Sequence, residues 1–145
     1  MKANIRVCVE RHLVEKARGG NVVPPGDWFD AAETHLVSVA KILNDDPTGA
    51  TNLVWSAMHK IAKGLVTIEG MRLQDETHGK IVDFLLCVFD DLTDKERGIV
   101  RAIQQGRNAG AYDNPTLSNP ALAAAFNLAR KMLTEARSYI ENSSK

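Results

Sequence analysis

The chain has 145 residues, 44% hydrophobic and 25% charged, with 18 Lys+Arg balanced by 18 Asp+Glu. That length suits a single domain burying about two-thirds of its unfolded surface, and the composition excludes a disordered or low-complexity chain. Zero net charge excludes nucleic-acid binding by bulk phosphate neutralisation, so any basic surface must be local. No apolar run reaches the roughly 20 residues needed to span a bilayer, and no membrane association is expected. The first residues are charged again by Glu10 and lack the apolar stretch of a signal peptide. Cys8 and Cys87 stand alone among aliphatic residues, so a disulfide framework is not expected and a reducing cytoplasm is.

Apolar residues recur every three to four positions along almost the whole chain. Residues 4 to 17 align Ile5, Cys8, Val9 and Leu13 as one helical stripe, closed by Gly19-Gly20. Asn21 to Gly26 is a Pro/Gly linker, so residues 1–26 separate from a bundle over 27–145. The first helix either packs on that bundle or docks elsewhere as an arm. Asp27 reads as an N-cap ahead of Phe29, Ala32, Leu36, Val39, Ala40 and Leu43, and Asp45 to Gly49 stops that helix. The next runs from about Thr51 to Glu69 and ends at Gly70; Gly64 inside it marks a close helix crossing. Thr77 caps a helix through Ile81, Leu85 and Phe89, and Thr93-Asp-Lys-Glu96 is a capping box that opens the following one. Residues 106 to 119 read as loop, and Asn119-Pro120 starts a last helix to about Glu141. No stretch alternates as a strand does. The fold class is all-α: an up-down bundle of four to five core helices plus an N-terminal helix.

Signatures for phosphate loops, dinucleotide folds, zinc sites, nucleophile elbows and di-iron bundles are absent. His12, His35, His59 and His78 are spread over different segments, so neither a metal nor a cofactor is expected. The informative stretch follows Asp90, Asp91, Asp94 and Glu96, where Arg97, Arg101 and Arg107 occur without an intervening acid. Arg107 and Asn108 close an apolar helix, and Tyr112 lies about one turn further on if the helix continues. Such groups can bond a phosphate or a 2′-hydroxyl. An arginine there also suits the negative end of the helix dipole.

Arg107-Asn108, with Tyr112 where a histidine is expected, resembles the HEPN domain family, in particular small bacterial members with an Arg-Asn-x-x-x-Tyr motif. Ala57 to Ala62, Glu69 to Leu73 and His78 resemble the same group's central hairpin, and the likeness covers about 27 to 140. The resemblance implies an RNA- or nucleotide-binding homodimer, with metal-independent ribonuclease activity of a toxin or defence component at a composite site. It implies Arg107, Asn108 and Tyr112 as the catalytic set, with Arg97, Arg101 and His78 on the RNA. A tyrosine titrates near 10 and a histidine near 6.5, so Tyr112 argues against full activity.

Plainer roles stand beside these. Arg97 and Arg101 also suit a solvated face paired to the acids before them, and Trp28 and Trp55 suit core or interface anchors better than base-stacking platforms. Tyr112 can tie back its own loop, and His78 can bond the start of its helix. The reading of a different class is a catalytically inactive interaction module that grips a cognate protein partner.

Overall fold

The computed structural model describes residues 5–11, 14–16, 23–68, 70–73, 78–110 and 118–143. Its elements in chain order are α1 (Ile5–Arg11), β1 (Val14–Lys16), α2 (Pro25–Ile42), α3 (Pro47–Ile68), β2 (Met71–Leu73), α4 (His78–Val88), α5 (Asp94–Gly110) and α6 (Asn119–Ser143). Helix α3 is the axis of the bundle, in contact with α1, α2, α4, α5, α6 and β2. Its residues explain that place: Val54, Trp55, Met58, Ile61 and Leu65 are all at most 1% exposed. Helices α2 and α6 pack on α3 and on each other, and α5 closes the far side of α6. The all-α reading holds, with one addition. Strands β1 and β2 pair antiparallel, Val14 opposite Leu73 and Lys16 opposite Met71. The helix expected over 4 to 17 therefore ends at Arg11, and the chain leaves it to pair with a strand distant in sequence. A ribbon three residues long is too short for alternation to reveal it.

The first helix is not a free arm. Ile5 and Cys8 belong to the same core as α3, and α1 lies against α4. Cys8 and Cys87 form a disulfide between these helices, with Cα atoms 5.7 Å apart at a sequence separation of 79. The expectation of two isolated cysteines is thus corrected. Tertiary packing made the pair, and nothing local to either cysteine announces it.

Helix starts lie earlier than the apolar periodicity suggests. Pro25 occupies the first turn of α2 with Pro24 as its cap residue, so Asp27 sits inside that turn rather than capping it. Its carboxylate still faces the positive end of the helix dipole. The segment that stops α2 also begins α3: Asp46 Oδ1 accepts the Gly49 amide at 2.9 Å, and Pro47 takes the first position, where no donor is lost. Ser118, not Asn119, caps α6 by accepting the Ala121 amide at 3.3 Å. Other expectations stand. Thr93 and Glu96 close their box at 3.0 and 3.1 Å, and Gly70 ends α3 at φ 67°. Gly64 lets the Phe29 ring of α2 lie on the α3 backbone, and a Cβ there would overlap that ring. Thr77 lies outside the described residues.

Candidate functional site

Helix α5 does not end where a loop is expected, at residue 106, but runs on to Gly110. Arg107 and Asn108 consequently stand in the last turn of a regular helix, described there by its backbone. Helical geometry sorts the polar residues. At 3.6 residues per turn, Arg101, Gln104 and Asn108 fall within about 60° of one another, with Arg97 at the same face's start. Arg107 falls elsewhere. It follows Val100 and Ile103, both fully buried, at the register of their apolar stripe, roughly 120° round from Arg101. By helical register alone, Asn108 follows the face on which Arg97 and Arg101 start, and Arg107 follows the neighbouring one.

Arg97 has a structural task as well. Its Nη1 donates to the Leu86 carbonyl at 3.3 Å, across the turn between α4 and α5. This is a packing role rather than the expected pairing to Asp90, Asp91 or Asp94. Arg101 is exposed. His78 is the first residue of α4, with its side chain outside the described residues, and Tyr112 lies wholly outside them.

The tryptophans take the anchoring role. Trp55 is 1% exposed, while Trp28 holds the ammonium groups of Lys60 and Lys63 at 5.2 and 4.9 Å from its ring centre. That cation–π pairing joins α2 to α3. Burial, with the Lys60 charge nearby, pulls the His35 imidazole below its ordinary pKa. Among the described residues no three His, Cys, Asp or Glu side chains gather as metal ligands.

A second feature escaped sequence reasoning. Between α2 and α6 lies an open groove of about 510 Å³, floored by Leu36 and Leu133 and flanked by Val37 and Phe126. Arg137 closes one end, bonded to Asp30 at 2.9 Å and Glu33 at 3.1 Å. The bond to Arg137 holds the Glu33 carboxyl below its usual range. Lys41 and Arg130 line the rest of the groove, Arg130 lying 5.6 Å over the Phe126 ring. The signal was present in the sequence: Val37 is an apolar residue one step off the buried stripe of α2, and it is 53% exposed. Ala40, expected in that stripe, is exposed and lines the groove.

No family model and no curated protein matches the chain. Among solved structures, the crystal structure of TT1696 from Thermus thermophilus is similar, with a TM-score of 0.61 and 18% identity over 82% of this chain and 97% of that one. At that identity the likeness shows the fold alone. Among the described residues no helix is long and apolar enough to cross a membrane. The chain is an all-α bundle with a fold similar to that of the Thermus protein.

Proposed function

We propose that the protein is a HEPN-like RNA- or nucleotide-binding protein whose contacts centre on the last turns of α5. One observation carries the reading: α5 continues unbroken through Arg107 and Asn108, on a helix that also presents Arg101 and Gln104. A guanidinium forks onto a phosphate with two parallel bonds, and an amide can serve a 2′-hydroxyl. The dipole at a helix C-terminus repels phosphate, so an anion binds there only where cations such as Arg107 outweigh it. A second copy of the chain would bring a second such helix end to one RNA. Cleavage would require a group that moves the 2′-hydroxyl proton, a task for which Tyr112 is poorly matched near neutral pH.

The test is binding and cleavage of total cellular RNA with chelator present, beside Arg107→Ala. The expected result is a loss of about 1–3 kcal/mol of binding in the variant, roughly five- to 150-fold. Unchanged RNA binding by a folded Arg107→Ala protein sinks the reading. A strictly monomeric mass by light scattering removes the composite dimer site.

The second reading is a non-catalytic interaction module for a protein partner. The observation favouring it is the α2–α6 groove, which leaves Val37 half exposed between helices that are otherwise packed.

A further inference from the structure

The groove has a direction. Arg137 near the end of α6 bonds Asp30 and Glu33 near the start of α2, so the two helices run antiparallel along it. Lys41, two turns further along α2, therefore lies toward the end where Phe126 and Arg130 stand on α6. One end is a closed ion pair; the other carries two cations. Among the described residues no carboxylate pairs with Lys41 or Arg130. Between the ends Val37 stands 53% exposed over a floor of Leu36 and Leu133, which are 4% and 6% exposed.

Size and openness decide between kinds of occupant. A small-molecule pocket buries most of its ligand, about 70–90%, and a groove with its flanking valine half exposed does not enclose one in that way. The eight residues from Glu33 to Lys41 rise about 12 Å, and two turns of a docked helix rise about 11 Å. A helix presenting apolar residues at i, i+3, i+4 and i+7 matches that length. Two cations without carboxylate partners at one end select the sign of its flanking charge.

We propose that the α2–α6 groove docks an acidic amphipathic helix of a protein partner, its apolar face on Val37 and Leu133 and its carboxylates against Lys41 and Arg130. The assignment rests on the second reading above. It is independent of the α5 site, because α6 turns Lys131 toward Glu96 of α5 and Arg130, Thr134 and Arg137 toward α2.

The experiment is fluorescence-anisotropy titration of the full chain with a labelled synthetic helix carrying leucines at those spacings and glutamates flanking them. Two further peptides carry glutamine or lysine in place of glutamate. Expected is saturable binding of the glutamate peptide, weakened about tenfold by the Lys41→Glu, Arg130→Glu double variant and at least as much by Val37→Glu. The lysine peptide should bind wild type about tenfold more weakly and gain on the double variant. Equal binding of all three peptides, lost in Val37→Glu, overturns the acidic partner and leaves the interaction-module reading standing. No binding of any peptide to a protein folded by circular dichroism overturns the docking site itself. Binding of the glutamate peptide that ignores every variant places it elsewhere and overturns the assignment. A wild-type dimer that Val37→Glu converts to a monomer shows a second copy in the groove, which overturns it too.

Discussion

Helices α3 and α5 both pack on α6, yet their sequences answer to different demands. Half of the 22 residues of α3 are buried, so nearly every side chain facing a neighbour is fixed by packing. Helix α5 buries one thin stripe, Val100 and Ile103 among its described side chains, and the rest of it is polar. A core helix leaves little for function to choose. Where the stripe is thin, the bundle does not dictate the other faces, and Arg101, Gln104 and Asn108 are more than the fold requires. The same reasoning picks out Val37, which costs the fold an exposed valine and supports no part of the core.

That contrast is broken first at Phe29. Phe29→Ala should cost roughly 3–5 kcal/mol by denaturant titration, since its ring is 1% exposed and lies on the α3 backbone at Gly64. Gly64→Ala sharpens the point. Helix propensity alone predicts a gain of about 1 kcal/mol, while the ring's position predicts a loss of about 1–3 kcal/mol. With Phe29→Ala in the background the loss should shrink or reverse. Additive losses would show that Gly64 serves something other than this crossing.

The α1–α4 side is held differently, by the cross-link from Cys8 to Cys87 as well as by packing. The double substitution Cys8→Ser, Cys87→Ser should lower stability by about 2–4 kcal/mol under oxidising conditions. Under reducing conditions wild type should fall to the same level. A wild-type urea midpoint indifferent to reductant would mean that the two thiols are not bonded in solution.

The sequence was most legible where structure is local. Periodicity reveals each core stripe, the Thr93–Glu96 box and Gly70 mark two ends correctly, and the tight crossing at Gly64 follows from a glycine in mid-helix. Residues serving two elements were harder. Asp46 and Pro47 look like a stop because they end α2, yet their chemistry equally begins α3. The disulfide and the β1–β2 ribbon join positions far apart in sequence, so no window of local pattern contains either. The candidate site was legible in its residue types, while the length of α5 was not: Gly106 reads as a helix end, yet the helix continues to Gly110. The groove was missed because it lies between two helices, each amphipathic in its own right.

The finest discrimination between the two helices lies in the cap of α5. A helix with little buried area depends on local bonds at its ends, whereas α3 is held along its whole length. Thr93→Ala removes the hydroxyl that accepts the Glu96 amide and should cost about 1 kcal/mol. Glu96 itself is held below its ordinary carboxyl pKa of 4.5, first by the Thr93 backbone amide and further by Lys131. A depressed carboxyl stabilises the fold above its ordinary value and loses that contribution as pH falls through the lowered one, so the cap weakens only in acid, below about pH 4.5. Glu96→Gln keeps an acceptor for the same amide and deletes the charge, so it should flatten that acid limb by lowering neutral-pH stability toward the level wild type reaches in acid. Hydrogen exchange locates the effect: in Thr93→Ala, the first turns of α5 should exchange faster while the amides of α3 keep their protection. Equal acceleration in both helices would mean that they open as one unit, and the distinction between a core helix and a loosely held one would fall.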